Sequence, residues 1–182
     1  MQFSPTKIQE VLLIEPNLFG DDRGFFMETY QAQQFSRAGI DVIFVQDNHS
    51  GSKQGILRGL HYQIQHTQGK LVRVISGEIF DVAVDLRRSS TTFSQWVGFF
   101  LSSSNKYQVW IPPGFAHGFY VLSEWAEVLY KVSDFYFPNW ERTLLWSDPT
   151  LGIKWPLLNG ENPILSEKDA NGTPFKKAEL FD

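Results

Sequence analysis

The 182-residue chain has no cysteine and only two methionines and four histidines. With no cysteine there can be no disulfide scaffold, no zinc–thiolate site and no thiol nucleophile. The absence fits a reducing compartment. No apolar run approaches the roughly 18 residues that cross a bilayer. The opening Met1-Gln2-Phe3-Ser4-Pro5 lacks the basic and apolar regions of a secretion signal. These absences together predict a cytoplasmic protein with no membrane partner. There is no internal repeat, low-complexity tract or linker, so residues 1–182 read as one domain. Excess positive charge is missing too. Twenty acidic against 16 basic residues give a net charge of -4, which argues against a nucleic-acid partner. A local basic cluster for a small anionic ligand remains open.

Aromatic residues are plentiful, with 16 Phe, six Trp and six Tyr, alongside 14 Gly and nine Pro. This composition favours short strands and tight turns over a helix bundle. Strands are predicted at 7–14, 42–48, 70–76, 79–87, 94–102, 107–111, 118–122, 126–134 and 142–146. The Arg58–Gln63 segment has strand character as well. A short helix is predicted at 31–38. Ser76-Gly77 reads as a tight turn between two strands. In 79–87, Phe80, Val82, Val84 and Leu86 fall on one face, and Asp81, Ala83, Asp85 and Arg87 on the other. This alternation predicts a sheet with one packed face. Residues 148–182 show little periodicity and are expected to wrap the sheets, with a helical turn near Ser166–Ala170. The expected class is all-β, a sandwich or jelly roll with a few short helices.

The histidines divide by context. His49 and His66 read as hydrogen-bonded structural residues. His61 has Arg58, Gln63 and Lys70 near it in sequence and reads as functional. His117 enters a strand from the turn Pro112-Pro113-Gly114, and its chemistry alone leaves the two readings level. Gly55-x5-His61 and Pro112-x-Gly114-x2-His117 resemble halves of the two cupin motifs, which implies a jelly-roll barrel with a ligand at its mouth. Metal-binding cupins carry a second histidine two residues after the first, followed by a glutamate. Gln63 and Thr67 or Gln68 stand there instead, and neither replaces an imidazole or acidic ligand. A metal-free site is expected, with His61 available as an acid or base.

A wider set of segments occurs in order: Asp22-Arg23-Gly24-Phe25-Phe26-Met27-Glu28, Gln46-Asp47-Asn48, Leu57-Arg58-Gly59-Leu60-His61-Tyr62-Gln63 and Gln68-Gly69-Lys70-Leu71-Val72-Arg73-Val74. Phe80–Arg87, Trp110-Ile111-Pro112, Gly114–Phe119, Tyr130-Lys131 and Leu165–Asp169 follow. This ordered set resembles the dTDP-4-dehydrorhamnose 3,5-epimerase family. The departures are small: Tyr62 stands where the family often has Phe, and Ser94 where Gly is usual.

The resemblance implies a dTDP-4-dehydro-6-deoxy-D-glucose substrate. Its C4 ketone acidifies the hydrogens on C3 and C5, so epimerisation needs a base, an acid across the ring and a group for the enolate oxygen. No cofactor is implied. His61 would be the base and Asp169 the carboxylate that fixes its tautomer. Tyr130 would be the acid, and Lys70 would face the oxygen where charge develops. Substrate contacts would come from Arg23, Glu28, Gln46, Asn48, Arg58, His117, Glu141 and Lys168, with Tyr136 stacking on the thymine. From the residues alone, Tyr130 reads as a core aromatic, Lys70 and Asp169 as solvated, and Arg23, Glu28 and Glu141 as surface ion-pair members. The resemblance also implies a homodimer in which the N-terminal strand region crosses to the neighbour and Glu28 serves the neighbour's site. Three other readings stand beside this one. They are a sister enzyme that epimerises at C3 or C5 alone, a metal-dependent cupin oxygenase, and a non-catalytic sugar-nucleotide binder.

Overall fold

The computed structural model describes residues 1–182. The strands are β1 (Gln2–Pro5), β2 (Leu12–Glu15), β3 (Leu18–Asp21), β4 (Gly24–Met27), β5 (Gln46–Lys53), β6 (Leu57–Gln63) and β7 (Lys70–Ser76). Then come β8 (Glu78–Asp85), β9 (Trp96–Ser102), β10 (Gln108–Ile111), β11 (Phe115–Val121), β12 (Trp125–Val132) and β13 (Glu141–Thr143). Two short helices, α1 (Ala32–Arg37) and α2 (Glu167–Ala170), complete the regular structure beside three 3-10 turns.

Six strands form one sheet in the order β1-β2-β10-β7-β12-β5, and five form a second in the order β13-β6-β11-β8-β9. The hairpin β3-β4 stands apart. Neighbouring strands run antiparallel throughout. The two sheets meet over a core that includes Val72, Val74, Val109 and Val128 from the larger sheet and Ile79, Ala83, Phe115 and Val121 from the smaller. This is the expected all-β, cupin-like jelly roll.

Both outer faces are covered in part as well, and here the structure corrects the expectation of one packed face. Phe80, Val82, Val84 and Leu86 pack with Leu144, Leu151 and Phe175, so the C-terminal segment roofs the smaller sheet. Phe35 and Ile40 of the α1 region pack on Leu71 and Trp110 of the larger one. The alternation expected in 79–87 is present in β8, but its polar row points inward. Ile79 and Ala83, which share a face with Asp81 and Asp85, lie in the core between the sheets.

Other boundaries move for local reasons. The strand expected at 7–14 is broken because Thr6 Oγ1 donates to the Ile8 carbonyl at 2.8 Å and accepts from its N–H at 3.1 Å, a side-chain-stabilised turn. Ile8 and Val11 then plug the core instead of extending a ladder. The strand expected at 42–48 starts only at Gln46 and runs on to Lys53, while Val42 and Phe44 pack against the α1 cluster. The β3-β4 hairpin, closed over Asp21–Gly24, was not anticipated. Ser76-Gly77 does not close a hairpin, because β7 and β8 belong to different sheets. Gly77, at φ 76°, turns the chain across, and a Cβ there would sit 2.0 Å from the Trp125 carbonyl oxygen. Ser94 takes φ 64°, a conformation that glycine adopts more readily, which accounts for the residue usual in the family.

Candidate active site

Inward-facing positions recur every second residue along a strand. On β7 and β12 the inward rows are Lys70-Val72-Val74 and Ala126-Val128-Tyr130. On β11 the row is Phe115-His117-Phe119-Val121, and on β5 it is Gln46-Asn48-Ser50-Ser52. The apolar ends of the first three rows make the core, and their polar members open into a cavity of about 350 Å³. Strand β6 needs an irregularity to contribute two residues. Its pairing with β11 shifts between His117↔His61 and Phe119↔Arg58, so Arg58 and His61 face the cavity together although three positions apart. Gly59 permits this close approach: at φ 126°, an added Cβ would lie 2.5 Å from Gly118 Cα.

The cavity brings together ten of the thirteen residues singled out from sequence: Gln46, Asn48, Arg58, His61, Lys70, His117, Tyr130, Tyr136, Glu141 and Lys168. Asp169 stands behind His61. It is buried on α2, which Ser166 caps, and its Oδ1 lies 2.5 Å from His61 Nε2 while Oδ2 accepts from Ser166 Oγ at 2.8 Å. Arg23 and Glu28 are elsewhere in the protomer. Arg23 is exposed on the β3-β4 turn and pairs with Asp21, and Glu28 is exposed beside Gln34.

Burial sets the electrostatics. It pulls the His61 imidazole below its ordinary value, against the opposing pull of Asp169, and so favours the neutral ring. Burial alone would raise the Asp169 carboxyl, but hydrogen bonds from His61 and Ser166 hold it below the ordinary value. Lys70 is only 8% exposed, and its ammonium donates to the His61 carbonyl at 3.2 Å. Burial brings its pKa down to about 8, with the charges of Asp81 and Glu141 resisting. The Tyr130 phenol is raised by burial.

Around the mouth, polar groups hold one another. Gln46 donates to Asn48 at 2.8 Å and accepts from the Tyr136 N–H at 3.2 Å. Tyr136 and Lys168 both donate to Glu141, at 3.1 and 3.0 Å. Arg58 Nε donates to buried Ser52 Oγ at 2.9 Å and Nη2 to the Gly51 carbonyl at 3.5 Å, which leaves Nη1 for a ligand. Gln63 is engaged structurally. Its amide donates to the carbonyls of His66 and Phe135 and accepts from the Phe137 N–H. No group of three or more His, Asp or Glu side chains is arranged to hold a metal ion. Tyr62 donates to the Glu179 carbonyl at 2.6 Å, so the departure from Phe ties β6 to the C-terminal segment.

Ser50, Gln68 and Phe119 also line the cavity, and Asp81 lies beneath it against His117; none was singled out from the sequence. The inward rows of β5, β8 and β11 carried the signal for Ser50, Asp81 and Phe119. Gln68 sits on a connection where no periodicity marks it.

The family model described as dTDP-4-dehydrorhamnose 3,5-epimerase matches residues 5–177. The chain belongs to the dTDP-4-dehydrorhamnose 3,5-epimerase family. It is 59% identical over 182 residues to the dTDP-4-dehydrorhamnose 3,5-epimerase of Pseudomonas aeruginosa, covering 100% of this chain and 99% of that one. The fold superposes on the epimerase from Legionella pneumophila in complex with dTDP-4-keto-L-rhamnose. That comparison has a TM-score of 0.94 and 53% identity and covers 98% of this chain and 94% of that one. A 3'-monoepimerase from Streptomyces bikiniensis in complex with dTDP-quinovose also shares the fold. There the TM-score is 0.88 and the identity 32%, over 94% of this chain and 87% of the other. The same fold thus occurs in proteins named as a 3,5-epimerase and as a 3'-monoepimerase.

Proposed function

We propose that this protein epimerises dTDP-4-dehydro-6-deoxy-D-glucose at C3 and C5 to give dTDP-4-dehydro-L-rhamnose, a step in dTDP-L-rhamnose biosynthesis. One observation carries the reading. His61, backed by buried Asp169, shares a single cavity with the Tyr130 phenol and the buried Lys70 ammonium. A site for binding alone has no need of a base, an acid and a buried cation around one space. The identity with named epimerases over the whole chain supports the same conclusion.

His61, neutral near pH 7, removes the hydrogen from a carbon next to the ketone as a proton. The electron pair of the C–H bond moves into the ring and leaves the C4 oxygen as an enolate. The Lys70 ammonium stabilises that oxygen; preorganised donors of this kind contribute roughly 3–4 kcal/mol each. Asp169 stabilises the imidazolium that forms. Tyr130 delivers a proton from the opposite face, and the enolate collapses to the inverted centre. Once His61 has released its proton to water and Tyr130 has taken one up, the same sequence at the second carbon completes the reaction without net redox change. Arg58 and Lys168 hold the diphosphate, with guanidinium geometry suited to two oxygens at once. Tyr136 stacks on thymine, while Gln46, Asn48, His117 and Glu141 contact the remainder.

Arg23 and Glu28 are read as contributions to a neighbour's site in a homodimer. The support is their position at the β3-β4 hairpin, whose Leu18, Phe19, Phe25 and Phe26 are all more than half exposed. Such an apolar patch is unusual on a surface left open to water.

The test is product analysis. After incubation with the substrate, borohydride reduction of the ketone should give rhamnose and 6-deoxytalose. Recovery of 6-deoxyglucose and fucose alone would refute the proposal, and 6-deoxyallose with 6-deoxygulose would assign epimerisation at C3 only.

A further inference from the structure

A second imidazole–carboxylate pair lies beside the first. His117 and His61 are direct cross-strand partners on β11 and β6, and both line the cavity. His117 Nε2 lies 2.7 Å from Asp81 Oδ2, and both residues are buried, Asp81 completely. Asp81 comes from β8, the neighbour of β11 on its other side, on the inward row that also holds Ala83. Its second oxygen, Oδ1, has no partner. The reaction as derived above uses His117 only as a substrate contact and Asp81 not at all.

The geometry points to Asp81 as a positioning residue that fixes His117 in the tautomer protonated on Nε2, so that Nδ1 meets a sugar hydroxyl as an acceptor. This inference rests on the epimerase reading and deepens it. An ionised carboxylate can only accept, so the shared hydrogen sits on His117 Nε2. A neutral imidazole then carries its lone pair on Nδ1. The charge of the Asp81 carboxylate also reaches Lys70, whose ammonium it helps to keep protonated. The consequence is a division of roles across the ring. Lys70 is a donor with no lone pair and serves the enolate oxygen. His117 is an acceptor and serves a hydroxyl, so it does not compete for that oxygen.

Replacing Asp81 by Asn keeps the shape and reverses the polarity. The Asn amide would donate to Nε2 and drive the proton to Nδ1, which would then oppose the substrate hydroxyl as a second donor. The test combines two readouts. In the wild-type protein labelled with 15N-histidine, His117 should show a protonated Nε2 and an unprotonated Nδ1 at pH 7.5. In D81N the pattern should reverse. KM for the 4-keto sugar nucleotide should rise about tenfold or more, the effect of losing one hydrogen bond and leaving its partner unpaired. The affinity for thymidine diphosphate, which lacks the sugar, should not change. A general loss of structure would weaken both ligands and is thereby separated.

The inference is overturned if wild-type His117 is protonated on Nδ1 or on both nitrogens. It is equally overturned if D81N reverses the tautomer and KM stays the same. The wild-type spectrum decides the tautomer even if D81N does not fold. Failure of the epimerase reading shows separately, as absent turnover by the wild type.

Discussion

Asp169 Oδ1 meets His61 Nε2 at 2.5 Å although the two residues are 108 positions apart in sequence. Ser166 makes the meeting possible by capping the four-residue helix α2 and donating to the other carboxylate oxygen. Asp169→Asn removes the charge that stabilises an imidazolium and permits the wrong tautomer. We expect kcat to fall by about 10²–10⁴, the usual contribution of positioned acid–base catalysis, with little change in the affinity for thymidine diphosphate. Steady-state kinetics with a binding titration checks this. A kcat within threefold of wild type would remove Asp169 from the mechanism.

Tyr130 and His61 divide deprotonation from reprotonation. Tyr130→Phe deletes the proton donor and leaves the base in place. The variant should still exchange substrate hydrogen for deuterium in D2O, but inverted product should form much more slowly than hydrogen is exchanged. The ratio of exchange to inversion, read by NMR, tests the assignment. An unchanged ratio at full turnover would mean that another group is the acid.

Lys70 sets an alkaline limit. The base must be neutral, so kcat/KM should rise with pH through the His61 pKa, which lies below its ordinary value. The enolate needs a cation, so kcat/KM should fall as Lys70 deprotonates at about 8. In Lys70→Arg the alkaline limb should vanish from the range up to pH 10. Stability runs the other way. The folded-state pKa of Lys70 is below its unfolded value, so the unfolded chain binds more protons between pH 8 and about 10.5, and stability gains with pH across that window. Lys70→Met should therefore stabilise the fold at pH 7 by on the order of 2–3 kcal/mol while abolishing turnover. Urea unfolding at pH 7 checks the sign.

The exposed hairpin predicts complementation between subunits. If Glu28 serves a neighbour's cavity, Glu28→Ala and His61→Asn variants should each be inactive or nearly so. Unfolded and refolded together at equal amounts, they should recover about a quarter of the wild-type activity, since half the dimers carry one intact site of two. No recovery, with mixed dimers demonstrated by mass, would place Glu28 outside the site.

Much of this arrangement was legible in the sequence because strand periodicity is local. The alternation in β8 identified which residues share a face, although it could not say which face pointed inward. Asp81 shows the limit: a buried carboxylate in an alternating strand looks like an exposed one until its neighbours are known. Arg58 and His61 share a face only through the β6–β11 register shift, which depends on the close approach of Gly59 to Gly118 from a distant strand. Asp169 was beyond reach from the residues alone, since nothing within its own helix distinguishes it from a solvated carboxylate. There the ordered set of family segments supplied what local pattern could not. Thr6 shows the reverse, where a single hydroxyl bonding to Ile8 outweighed the strand propensity of KIQEVLLI.

The central claim is that one base-bearing cavity activates both carbons flanking the ketone. Proton NMR of dTDP-4-dehydro-6-deoxy-glucose with the enzyme in D2O, without added metal, addresses it directly. The account predicts deuterium at both C3 and C5. Deuterium at one carbon only, or at neither, would contradict it.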